Sequence, residues 1–268
     1  MVTEMESSRP LAVCFGGGGL FGIAYLLGVA EALADGGVDL SGAPSIGTSA
    51  GAWAATAVGL GIRWDDAVEV VAPIVPRFPD LRPGRLRSVA AEVFGEQRVP
   101  TMRVSVCSLP RLRRVALSGA DFPAADLIAA SSAVPGLLSP HRVGGTLYVD
   151  GGVRSMVSVD RADAAQNLLV LAPIAGPMFG PAGLLAERSL NSEVRAWKRS
   201  NPDGDFWLIR PNRAIAALAR LPNNLFDLER ARRCYDLSYA QGCGILRRWN
   251  EDRGLRPPEF RRSGRAAP

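Results

Sequence analysis

Apolar positions fall into two patterns along this chain. An unbroken apolar run at residues 11–15 and largely apolar stretches at 166–174 and 206–210, with shorter ones running into Ile46 and over 147–150, lack polar alternation. They read as strands buried on both faces of a parallel sheet. Residues 102–108 and 113–118 instead alternate, and Leu109-Pro110-Arg111-Leu112 between them predicts a turn joining antiparallel neighbours. Helical spacing of apolar residues predicts helices over 23–34, 52–58, 64–75, 86–94, 121–130, 184–198 and 225–249, the last with an arginine-rich polar face. Asp35-Gly36-Gly37 stops the first of these, and Ser131 to Gly136 ends the fifth. Three prolines make 76–83 a loop, and the glycine- and proline-rich stretch GPMFGPAGLL at 176–185 is either a lid or an ordinary loop.

Strands alternating with helices predict an α/β fold with a mostly parallel central sheet. Neither an internal repeat nor a linker divides the chain, so residues 11–250 are expected to form one domain. Residues 1–10 are expected to be a flexible N-terminus. Arg253, Arg256, Arg261, Arg262 and Arg265 stand among prolines and small residues, and predict a basic, disordered tail over 251–268 that offers a contact with anionic lipid.

Composition narrows the function. With 268 residues, 47% hydrophobic and 21% charged, the chain can bury a large core. The net charge of +5 rests almost wholly on arginine, since Lys198 is the only lysine, and the aromatic residues are scattered through apolar runs, which speaks against nucleic acid. Four cysteines without ligand spacing and a single histidine predict neither a metal site nor a disulfide framework, and point to a reducing cytoplasm. Residues 11–30 carry no charge. Six glycines in that run, with Glu4 and Glu6 against Arg9 before it, argue for strand, loop and buried helix rather than a signal peptide or membrane span.

The chemistry centres on SIGTSAGAW at 45–53. Gly47-Thr48-Ser49-Ala50-Gly51 fits G-x-S-x-G between a strand and helix formers, so Gly47 and Gly51 allow a sharp turn that presents Ser49 as a nucleophile at a helix N-terminus. Upstream, GGGGLFG at 16–22 bares backbone N–H groups as an anion cradle. Gly17, Gly19 and Gly22 also satisfy the dinucleotide fingerprint, with Asp39 at a suitable distance, which keeps a nucleotide-binding oxidoreductase as the alternative. A serine elbow at the second strand favours the oxyanion reading. Downstream, Tyr148-Val149-Asp150-Gly151-Gly152 delivers Asp150 at a strand end, either as a catalytic acid or as a plain Asp-Gly turn. His141 lies between Pro140 and Arg142 and reads as a surface loop histidine; in α/β-hydrolase order it would exclude Asp150 from a triad. Arg113 and Arg114 read as a solvated charge cluster. What remains is a Ser49–Asp150 dyad, in which burial of Asp150 would raise its pKa and improve it as a base.

The glycine-rich loop, the G-x-S-x-G elbow and D-G-G, in this order, together with SSAVPGLL at 131–138, resemble the patatin-like phospholipase family over roughly residues 11–175. The resemblance implies a three-layer α/β/α fold. It also implies Ser49 as nucleophile, Asp150 as general base, and Gly17, Gly18 and Gly19 as the oxyanion hole. Gly22, Gly47, Gly51, Gly151 and Gly152 support the motifs. It implies hydrolysis of lipid acyl esters, phospholipid or neutral acylglycerol, without metal or separate cofactor, by a cytoplasmic protein with peripheral membrane contact. Phe21 stands where many members carry a basic residue, which turns the expectation from charged head groups toward neutral acylglycerols, other acyl esters or thioesters. A non-catalytic lipid-binding protein of the same fold is a further alternative.

Overall fold

The computed structural model describes residues 9–71 and 79–251. The expected tail from 252 on, residues 1–8, and the parts of the expected helix and proline loop between 72 and 78 lie outside the described residues. Among the described residues, one eight-stranded sheet contains β1 (Arg9–Phe15), β2 (Ser45–Gly47), β3 (Met102–Ser108), β4 (Arg113–Ser118), β5 (His141–Val143), β6 (Thr146–Asp150), β7 (Ala165–Leu171) and β8 (Asp205–Ile209). The helices are α1 (Gly19–Asp35), α2 (Ala50–Leu60), α3 (Trp64–Val71), α4 (Arg85–Phe94), α5 (Ala124–Ser131), α6 (Gly180–Ser200), α7 (Arg213–Ala216) and α8 (Leu228–Glu251).

Strands β3, β2, β1, β7 and β8 run parallel in that spatial order. Crossovers join them, and the apolar runs of β1 and β7 follow from burial on both sides. In β1, Leu11, Val13 and Phe15 enter a core shared with α1, α2 and α8, while Ala12 and Cys14 face a second core with Leu190 and Trp197 of α6. The result is a three-layer α/β/α fold. The charge-free run at 11–30 is divided between β1, the glycine loop and α1, which is buried on nearly every side beneath α2 and α8. No described helix is long and apolar enough to cross a membrane.

Two edges of β3 decide where the motifs meet. The antiparallel partner β4 runs along one edge from Arg103 to Ser108. On the other, β2 ends with Gly47 opposite Val104, and β6 enters from the opposite direction with Asp150 opposite Val106. A segment following β2 and the last residue of β6 are thereby brought to the same place, at the carboxyl end of the parallel strands.

Several boundaries differ from the sequence reading. β1 begins at Arg9, inside the N-terminal segment expected to be flexible. Residues 176–185 are not an open loop: Pro177–Phe179 is a 3-10 turn and α6 starts at Gly180, with Pro181 in the first turn, where its missing N–H leaves no bond unmade. Pro123 delays α5 to Ala124. Arg114 is not a solvated charge; its guanidinium is largely buried between Asp160 (2.6 Å) and Glu193 (3.3 Å), which no local spacing announces.

Candidate active site

The elbow at Ser49 is a strained turn built by its two glycines. Ser49 sits at φ 54°, ψ −116°, a conformation that costs a non-glycine residue about 1–3 kcal/mol. A Cβ on Gly47 would stand 2.4 Å from the Gly51 carbonyl oxygen, and one on Gly51 would stand 1.9 Å from that of Phe15. Strand, turn and helix can therefore pass this closely only with hydrogen at both positions. The Thr48 N–H bonds the Phe15 carbonyl (3.0 Å), the Gly51 N–H bonds that of Thr48 (2.8 Å), and the Ser49 N–H bonds the hydroxyl of Ser131 (3.0 Å). Ser49 thus caps α2, whose axis directs its positive end at the serine.

Asp150 ends β6 and is 4% exposed. Its carboxylate accepts a hydrogen bond from the Gly152 N–H (2.6 Å), closing the tight turn that Gly151 and Gly152 permit, and the Ser49 side chain stands near enough to favour its charged form. Gly151 packs flat on β3, where a Cβ would meet the Ser105 carbonyl at 2.4 Å, and Gly22 lets α1 approach Ala50 in the same way. Loss of solvent pushes the Asp150 carboxyl up to about 6, against the lowering effect of the Gly152 N–H and the Ser49 side chain. The acid is thus a stronger base than an exposed aspartate.

The glycine loop supplies fewer donors than expected. The Gly17 N–H already donates to the Met156 carbonyl (2.7 Å). Gly18 and Gly19 line the Ser49 cavity, and their N–H groups bond no protein acceptor among the described residues. The same holds for the Ala50 N–H at the start of α2. Gly19 has φ 61°, and a Cβ there would meet the Leu225 carbonyl at 2.8 Å.

The cavity above these groups measures about 470 Å³, within the ~300–1,000 Å³ usual for ligand pockets. Its walls are apolar, with Leu20, Ile23, Trp53, Val89, Leu138 and Ile174 among them; among the described residues Asp150 is its one carboxylate, and no lysine, arginine or histidine lines it. The wall formed by Pro222, Leu225 and Phe226 lay outside every sequence motif, because a lining contributed from a distant turn has no local signature. Ser131 and Ser132, which hold Ser49 and the Trp53 indole, were visible only as part of SSAVPGLL.

His141 is absent from the cavity. It is not a surface loop residue either, for it opens β5 half-buried, with Nε2 2.8 Å from Asp126 Oδ1. Asp126 also takes the Arg87 guanidinium (3.0 Å). Gly144 and Gly145, both at positive φ, make the hairpin turn that puts His141 in a strand, and that Gly-Gly pair was the overlooked signal. Among the described residues no cluster of histidine, cysteine, aspartate or glutamate could hold a metal ion.

Residues 84–163 match the family model of patatin-like phospholipases, a span that contains Ser131 and Asp150 and begins beyond the serine elbow. No curated protein matches the chain. Among solved structures, VipD from Legionella pneumophila aligns with 90% of this chain and 67% of its own, at 14% identity and a TM-score of 0.47. Through its segment 84–163, the chain is similar to the patatin-like phospholipase family.

Proposed function

We propose that residues 11–250 form a single serine acyl hydrolase domain that cleaves lipid acyl esters through a Ser49–Asp150 dyad. The observation that carries this reading is the convergence of Ser49, on its strained elbow, and the buried Asp150 carboxylate in the lining of one apolar cavity. In the first step Ser49 Oγ attacks the acyl carbonyl as Asp150 takes the hydroxyl proton, and the N–H groups of Gly18 and Gly19 receive the developing oxyanion. The ester C–O bond then breaks, Asp150 returns the proton to the leaving alcohol, and an acyl-Ser49 intermediate remains. Water attacks this ester with Asp150 again taking a proton, and Ser49 recovers its hydrogen as the fatty acid departs.

The walls suit an acyl chain, and the lack of a cationic side chain among the described lining residues supports neutral acyl esters at least as well as phospholipids. Exposed Val153 on the cavity rim supports arrival from a lipid surface, by a protein working in the cytoplasm or peripherally at a membrane. A dinucleotide would bring a pyrophosphate to a cavity whose one charged group among the described residues is a carboxylate, which disfavours the oxidoreductase alternative. The test is covalent labelling of Ser49 by a fluorophosphonate, together with turnover of p-nitrophenyl and glycerolipid esters of graded chain length, as monomers and as micelles. Labelling and turnover that vanish in Ser49→Ala are expected. Labelling without turnover on any ester would favour a non-catalytic lipid-binding protein, and turnover retained by Ser49→Ala would overturn the assignment.

A further inference from the structure

We propose that Ser131 is the positioning residue of the nucleophile: its hydroxyl pins the Ser49 backbone to β3 and so keeps Ser49 Oγ directed at Asp150. Ser131 is fully buried at the end of α5. Its Oγ accepts from the Ser49 N–H (3.0 Å) and donates to the Ser105 carbonyl (2.9 Å). A hydroxyl has a single proton, so with that proton committed to Ser105 the lone pair facing Ser49 is fixed in direction.

The location of Ser105 gives this bridge its function. Ser105 is the β3 residue between Val104, which registers Gly47, and Val106, which registers Asp150. Ser131 therefore ties the serine to the point on β3 midway between the ends of the two strands that carry the dyad. A strained residue reverts to ordinary backbone unless its surroundings hold it, and the Ser131 bond is the one made by Ser49's own N–H. From the other side, the Thr48 hydroxyl donates to Ser158 Oγ (3.2 Å), which donates to Ser105 Oγ (2.8 Å), with the Arg114 guanidinium behind it (3.3 Å). That second tie fixes the residue before the nucleophile and leaves Ser49 itself to Ser131.

This inference rests on the dyad reading and adds to it a measurable consequence. The Ser49 side chain beside Asp150 holds that carboxyl's pKa down, so a Ser49 set loose would let it climb further. Cys107 on β3 is the titratable neighbour of Asp150; burial keeps its thiol protonated, and Arg114 and Arg154 act on that thiol, not on Asp150. The test uses Ser131→Ala and the isosteric Ser131→Cys, whose sulfur is a weak acceptor. Both are expected to lose kcat by about tenfold to a hundredfold with KM little changed, as misplacement of a reacting group does. In both, the acid limb of the pH–kcat profile should move to higher pH, while circular dichroism keeps the wild-type fold. A fall in kcat with the limb unmoved would mean a merely structural serine and overturn the proposal, as would wild-type kcat in either variant. A wild-type protein that neither labels at Ser49 nor turns over an ester overturns the dyad reading and this proposal with it, whereas wild-type labelling with unaffected variants removes only the role of Ser131.

Discussion

Ser49 and Asp150, a hundred residues apart in the chain, face one cavity because β2 and β6 abut on one edge of β3, with Gly47 opposite Val104 and Asp150 opposite Val106. β3 sets their separation as a ruler would. Neither side chain reaches the other from a flexible loop, so the pair is preorganised by the sheet.

Asp150 ties activity and stability to pH in opposite senses. Its folded-state pKa of about 6 lies above the ordinary 3.8, so folding favours the protonated acid. The stability contribution is fully present below pH ~4 and is lost as pH rises through about 6, a difference worth about 3 kcal/mol. Turnover runs the other way, falling below pH about 6 as the base is protonated. Asp150→Asn is expected to lose about 10²–10⁴ in kcat. At pH 8 it should melt above wild type, with the gap closing by pH 4. Calorimetry at both pH values checks the sign.

The strain at Ser49 has a direct readout. Both Ser49→Ala and Ser49→Gly should be inactive, but glycine adopts φ 54° freely and alanine does not. Ser49→Gly is expected to be about 1 kcal/mol more stable than Ser49→Ala, seen as a thermal midpoint a few degrees higher.

Gly51→Ala places a methyl group 1.9 Å from the Phe15 carbonyl oxygen, backbone against backbone, with no flexible side chain to yield. Destabilisation of about 3 kcal/mol and loss of turnover are expected. Gly42→Ala, with open space around its Cβ and ordinary backbone, should match wild type in the same denaturant titration.

His141→Ala should keep wild-type kcat/KM, because its ring is engaged with Asp126 and not with the cavity. The lost hydrogen bond is expected to lower stability by about 1 kcal/mol. Abolished turnover in a folded variant would restore a triad.

Arg114→Met would strand the Asp160 and Glu193 carboxylates around a vacated guanidinium site. A loss of about 3 kcal/mol is expected, measured by urea unfolding.

The sequence by itself determined what depends on near neighbours. Apolar runs announced strands covered on both faces, and Gly47 and Gly51 announced a turn too tight for side chains, because backbone sterics act over a few residues. The order of glycine loop, elbow and D-G-G gave Ser49 and Asp150 as candidates. Only the tertiary structure decided what those groups meet: that β2 and β6 share an edge of β3, that Met156 consumes the Gly17 N–H, that Ser131 holds Ser49, that His141 turns to Asp126, and that Arg114 is buried. Each of these joins residues far apart in the chain, and such pairings are selected by sheet register and core packing, which local periodicity does not encode.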